Sequence, residues 1–435
     1  MKHIHITLIV ALLSLYLGFA QQTPAPKQSK AIAITGATAH IGDGTVITNS
    51  LIIFEDGKLT QVLDGTTVKV DGSKMDVIDA RGKHVYPGFI VPNSTLGLVE
   101  IGAVRATNDD RELGSWLPHV RSLIAYNAES KIVESMRPNG VLIGQITPRG
   151  GRIAGTSSVV QFDAWNWEDA VIKEDDGIHM SWPSPFVRGR WWLGEDPASK
   201  PNKNYDAQVN EISDCFNATK AYMQGDRSTV NLPYEATNGL FDGSKTLYIN
   251  VGNEKGIIDA VNFAKSHNVK SMVIVGGYEA YKVADMLNKN DIPVLLQRVH
   301  SRPGRTDDDY DMPFKLAKLL HNSGVTVALE TSGQMERMNS RNLPFYAGTT
   351  VAYGLTKEQA LQLITLNPAK ILGIDDAYGS LEVGKSATLF ISEGDALDMR
   401  TNIITHAFID GRLISLETHQ TKLWKRYSEK YENQD

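Results

Sequence analysis

Between Lys30 and His84, apolar and polar residues alternate in short runs: "AIAITGATAHI", "SLIIFEDGKLTQVL" and "MDVIDARGKHV". Alternation with period two predicts strands with one buried face, and the Gly and Asp breaks predict turns. Asp56-Gly57 has hairpin-turn chemistry, because Gly accepts the positive φ such turns need. The same texture returns in "GSLEVGKSATLFISEG" and "NIITHAFIDGRLI", with a second Asp-Gly turn at Asp410-Gly411. One small β-domain built from both ends of the chain is therefore expected, with segments 31–86 and 373–415.

The centre has another rhythm. Continuous apolar runs recur at "VLIGQI" (141–146), "TLYINV" (246–251), "SMVIVG" (271–276), "IPVLLQ" (292–297) and "VTVALET" (325–331), separated by amphipathic stretches. In "EKGIIDAVNFAKSHN", Ile257, Ala260, Val261 and Ala264 share one helical face; Ala280, Val283, Ala284 and Leu287 do the same in the next unit. "TKEQALQLITLNPAKILG" opens with a Thr cap and a Glu in its first turn. Apolar strands alternating with such helices predict a parallel sheet covered by helices. Their spacing suits a (β/α)₈ TIM-like barrel over residues 87–372, although 150–245 is too irregular for its strands to be counted.

The first twenty residues, a Lys2 start followed by "ITLIVALLSLYLGFA" with Gly18 and Ala20, read as a signal peptide cleaved before Gln21. A linker is expected at 21–30 and a charged tail at 416–435. Secretion or periplasmic residence follows as an expectation, with no membrane span once the signal is removed. Lys plus Arg is 44 against 50 Asp plus Glu, a net charge of −6 with no basic tract, so nucleic acid is a poor partner. The lone Cys215 excludes an intrachain disulfide.

Several stretches together carry a resemblance. "VYPGFI" (85–90), "GYEAYKVADMLNKNDIPVLL", "RNLPFYAGTTVAYGLTKEQALQLITLNPAKILGIDD", "GSLEVGKSATLFI" and "AFIDGRLI" resemble the amidohydrolase superfamily in its imidazolonepropionase-like branch. The resemblance spans nearly all of the chain after residue 30. It implies a composite β-sandwich beside a (β/α)₈ barrel, with the site at the C-terminal mouth of the strands. It also implies hydrolysis of C–N bonds other than peptide bonds, using one or two divalent metals. The ligands would be a His-x-His pair ending the first strand, single His residues on the fifth and sixth, and an Asp after the eighth. A bound metal takes the pKa of water from about 15.7 to about 7.

Carried over position by position, these ligands are replaced. Asn93 and Thr95 stand for the His pair, Asn250 for the fifth-strand His, Gly276 for the sixth and Ser332 for the Asp. Amides and hydroxyls are weak zinc ligands, and glycine has no side chain. No cofactor is therefore expected unless zinc or another divalent metal has a site rebuilt elsewhere. Glu330 shares a side with Ser332 on strand alternation, and these two are the candidates for any remaining catalysis. "RTDDDYDMPF" gathers Asp307, Asp308, Asp309 and Asp311, which we read as a solvated helix start rather than a cation loop. His119, His179 and His300 are isolated, and Ser332 is not on a nucleophile elbow.

Two further features stand out. "TPRGGRIAGTSSVV" offers Arg149 and Arg152 as anion-binding candidates, the alternative being a tight turn feeding a strand. Trp165, Trp167, Trp182, Trp191 and Trp192 cluster in one stretch, read as the core of an inserted subdomain rather than a ligand surface. The sequence thus points to an exported amidohydrolase-fold protein without the usual metal ligands. It would act as a non-catalytic binding or assembly subunit. Its partner would be a small-molecule ligand or an active homologous subunit, within a homo- or hetero-oligomer. An active C–N hydrolase with a displaced metal or none is the alternative.

Overall fold

The computed structural model describes residues 23–68, 70–333 and 335–432. The expected signal peptide and the first two linker residues lie outside the described residues. Chain order gives β1 (Ile32–His40), β2 (Val46–Glu55), β3 (Lys58–Asp64), β4 (Asp76–Asp79) and β5 (His84–Pro87). Next come β6 (Phe89–Ser94), β7 (Val141–Ile146), β8 (Ile153–Gln161), β9 (Val171–Ser181) and the hairpin β10 (Phe186–Arg188) and β11 (Ser199–Pro201). β12 (Thr246–Val251), β13 (Met272–Gly276), β14 (Val294–Leu296) and β15 (Val327–Leu329) follow, then β16 (Leu389–Ser392), β17 (Ile404–Ile409) and β18 (Arg412–Leu413).

One sheet runs β18-β17-β16-β5-β1-β2-β3, with β4 beside β1, and so takes strands from both ends of the chain. Its hairpins turn where expected. Asp56 and Gly57 have φ of 49° and 78°, and Asp410 and Gly411 have 48° and 72°. Two successive positive φ values match the right-handed twist of the strands they join. Ile34, Ile52, Phe54, Val85, Leu389 and Phe408 form its core.

The second sheet runs β6-β7-β8-β9-β12-β13-β14-β15 and curls into an α/β TIM-like barrel. Its edge strands do not pair directly. Leu363 and Ile364 fill the seam, accepting from Leu329 N–H at 3.0 Å and from Ile90 N–H at 2.9 Å. Ile90, Ile143, Val159, Tyr248, Val275, Leu295 and Ala328 each come from a different strand and pack together inside. The barrel interior is thus a packed core rather than a pore.

One expectation needs correcting. The sheet is not all parallel, because β8 runs antiparallel to both β7 and β9. β8 follows β7 through the short Thr147–Arg152 turn, and so short a link can only reverse direction.

Gly140, just before β7, has φ +81°, and a Cβ there would lie 2.5 Å from the Phe390 ring of β16. Gly140→Ala is expected to cost roughly 2–3 kcal/mol, from left-handed strain plus displacement of the ring. A lower midpoint of urea unfolding at unchanged slope checks this.

No described helix is long and apolar enough to cross a membrane. The expected tail contains a helix, His419–Glu432, with no buried residue.

Candidate functional site

The C-terminal end of β6 sets the geometry of the mouth. Asn93 takes φ +51°, and the pairing with β7 shifts register between Val91 and Ser94. Asn is among the few non-glycine residues that accept this region readily. The kink leaves the backbone N–H of Asn93 bonded to Gln145 Oε1 at 3.0 Å instead of to a strand carbonyl.

Three charged and three polar side chains converge there. Arg149, in the turn after β7, donates Nη1–H to Asn93 Oδ1 at 2.8 Å and Nη2–H to the Asn93 carbonyl at 2.7 Å. The same Nη2 lies 3.3 Å from both carboxylate oxygens of Glu336. Glu336 Oε1 also accepts from Thr95 N–H at 2.7 Å and Thr95 Oγ–H at 3.1 Å. On the other side, Asn93 Nδ2 donates to Glu330 Oε2 at 3.2 Å. Ser332 closes the group, giving its N–H to Glu330 Oε2 at 2.6 Å and its hydroxyl to Oε1 at 2.8 Å.

Glu330 is 1% exposed. Burial pushes its pKa up to about 7; the Ser332 bonds and the Arg149 charge oppose that rise, and Glu336 adds to it. Deeper in the barrel, Gln145 Nε2 donates to Asp176 Oδ2 at 2.8 Å, as does the Tyr248 hydroxyl at 2.8 Å. Ser157 donates to Asp176 Oδ1 at 2.7 Å and lies 2.9 Å from His179 Nε2. Burial, and then the charge of Arg149, hold the pKa of His179 well below its ordinary value, so its imidazole is neutral. Its ring stacks on Tyr248, with centroids 4.6 Å apart.

The structure therefore brings together Asn93, Thr95, Ser332 and Glu330 from the sequence candidates. Asn250 and Gly276 end neighbouring strands, but among the described residues no hydrogen bond joins either side to the cluster. Asn250 is exposed, and its carbonyl accepts from Trp182 N–H. Gly276 has φ +88°. The two arginines diverge: Arg149 enters the mouth, whereas Arg152 donates Nη1–H to the Ser181 carbonyl at 2.8 Å. The backbone N–H groups of both are taken by carbonyls of Asp110 and Ser115, so this segment is a turn feeding β8. Glu336 escaped the sequence reading. It opens a short helix, where a glutamate is ordinarily explained by the dipole alone.

These residues do not fit the family's metal. Among the described residues, no three His, Cys, Asp or Glu side chains are grouped to hold an ion. Both oxygens of Asn93 already accept from a guanidinium. A divalent ion at the same place would face that cation across a few ångströms.

The remaining candidates fall elsewhere. Asp309 and Asp311 pair with Lys315, Asp307 with Arg305, and Asp308 accepts from the Tyr278 hydroxyl at 2.5 Å. His300 Nε2 lies 2.8 Å from the Thr349 hydroxyl. The Trp segment departs from expectation. Trp182 is buried, with Nε1–H donating to the Tyr205 hydroxyl at 3.0 Å, but Trp165, Trp191 and Trp192 are exposed. The last two sit at the tip of the β10–β11 hairpin, whose strands and tip have no buried residue.

Known proteins share this architecture. Residues 200–414 match the Amidohydrolase family. An imidazolonepropionase of Flavobacterium johnsoniae is 27% identical over 82% of this chain and 98% of its own. One of Flavobacterium psychrophilum is 29% identical over a shorter stretch, 24% of this chain and 27% of its own. An amidohydrolase from Thermotoga maritima superimposes with a TM-score of 0.77 at 24% identity, over 88% of this chain and 99% of that one. The fold and these alignments together support the amidohydrolase superfamily, in its imidazolonepropionase-like branch, as this chain's family.

Proposed function

We propose that this protein is a non-catalytic amidohydrolase-fold subunit that binds a small molecule, exported by its N-terminal segment and able to pair with an active homologous subunit. One observation carries the reading. The position of the first-strand ligands holds the Arg149–Asn93–Glu336 clamp, whose donors and acceptors are already matched to one another. A guanidinium is fixed and cannot release a proton, so it supplies positive charge but no hydroxide.

The test is turnover. The purified protein, offered imidazolone propionate, N-acyl amino acids and cyclic amides, is expected to release no product above the uncatalysed rate. Saturable turnover would overturn the reading.

A second reading has one observation in its favour: Glu330, with its pKa at about 7, is poised to take a proton from water near neutrality. Asn93 and Asn250 would then polarise the amide carbonyl. Turnover abolished in Glu330→Gln would establish this reading in place of the first.

A further inference from the structure

The mouth at β6 is filled by its own side chains, but the opposite side of the same rim is open. A cleft of about 650 Å³ lies between the ends of β12, β13 and β14 and the β10–β11 hairpin. Phe186 and Arg188 are two residues apart on β10, and both line it, while Val187 between them does not. Strand alternation therefore turns one face of the hairpin, carrying an aromatic ring and a guanidinium, onto the cleft.

The charges there are unequal. Arg188 and Arg305 line the cleft against a single carboxylate, Glu279. Glu279 is already matched: it lies 3.0 Å from Arg305 and 2.9 Å from Lys282, and it accepts from Glu254 N–H at 2.8 Å. Among the described residues, the Arg188 side chain has neither an ion-pair nor a hydrogen-bond partner, and the Gln297 side chain has none either. Tyr278 spends its hydroxyl on Asp308, leaving its ring as an apolar wall. The cleft thus presents two rings, a free fork of N–H donors, a free carboxamide and a net positive lining. Its volume lies in the range of small-molecule sites.

We propose that this cleft binds a small organic anion with an aromatic or apolar body, its carboxylate on Arg188 and its body between Phe186 and Tyr278. The proposal rests on the binding function proposed above and places the ligand away from the Asn93 cluster. Arg–carboxylate pairing is bidentate and charge-assisted, so Arg188 dominates recognition and Gln297 orients the ligand. The Trp191–Trp192 tip continues the hairpin beyond the cleft and provides an optical signal for occupancy.

The probe is hippurate, which joins a benzoyl ring to a carboxylate through an amide, with neutral hippuramide as control. Calorimetry on the full chain is expected to show saturable hippurate binding, weakened at least ~tenfold in Arg188→Met, and weaker binding of hippuramide that this change leaves alone. Lys200→Met, on the other face of the hairpin, is expected to leave binding unchanged, which separates a specific contact from general loss of charge. Gln297→Leu weakens binding without touching the hairpin, covering the case where Arg188→Met disturbs it. No saturable binding, or binding indifferent to Arg188→Met, overturns the cleft assignment and leaves the non-catalytic reading standing. Release of benzoate from bound hippurate would sink the non-catalytic reading while supporting the cleft.

Discussion

Arg149→Met is expected to cost the protein about 3 kcal/mol of folding stability, a large fraction of what a native fold possesses. Methionine keeps most of the apolar stem but removes the fork. Glu336, 8% exposed at its side chain, then keeps a buried charge with only the Thr95 donors, and both oxygens of Asn93 lose their partner. Breaking one side of such a pair costs more than removing both, because the survivor remains desolvated. Arg149→Met combined with Glu336→Gln is therefore expected to recover most of the loss. Arg149→Lys recovers little, since a single ammonium cannot serve Asn93 Oδ1, the Asn93 carbonyl and Glu336 together. Urea unfolding of the three variants decides the matter. A loss below about 1 kcal/mol in Arg149→Met would mean the clamp does not hold the mouth together.

The second large effect is a pH dependence. The pKa of Glu330 is raised from 4.5 to about 7 in the folded protein, chiefly by burial. Below pH 4.5 the carboxyl is protonated in both folded and unfolded chains, and the shift has no effect on stability. As pH rises from about 4.5 to about 7, the unfolded chain ionises while the folded one resists, so the fold loses stability. The loss is complete once pH exceeds the folded value. A shift of that size corresponds to roughly 3 kcal/mol across the window. Glu330→Gln removes the titration. Its stability relative to the parent is expected to climb between pH 5 and pH 8, read as diverging midpoints of unfolding. Parallel curves would show that Glu330 titrates as an ordinary surface carboxylate.

Much of this fold is written in apolar runs. The segments at 141–146, 246–251, 271–276, 292–297 and 325–331 each contain a strand of the barrel. Their continuous apolar character reflects burial on both faces, one in the barrel and one under helices. β8 and β9 stayed hidden for the converse reason. "IAGTSSVVQ" is small and nearly half polar, and "VIKEDDGIHMS" carries a charged run from Lys173 to Asp176, because the side of the barrel they build holds Ser157, Asp176 and His179 instead of branched aliphatics.

The site was legible in its strand-end positions and illegible in the contacts that join them. Family positions identify Asn93, Thr95 and Ser332, because those depend on strand ends that the sequence marks. Nothing local says that Glu336 reaches back to Thr95 or that Arg149 lies across Asn93, since those contacts join residues far apart in the chain. The exposed Trp191 and Trp192 make the same point. Their clustering in sequence reads as core, and only the exposed hairpin that carries them shows that they face solvent.

On the proposed reading, a fixed guanidinium, not a metal ion, supplies the positive charge at this barrel mouth. Metal analysis of untagged protein, incubated with excess zinc and then desalted, tests it most directly. Far less than one zinc per chain is expected, together with a midpoint of thermal unfolding unmoved by chelator. One tightly held zinc per chain, lost with stability when a chelator strips it, would rule that reading out.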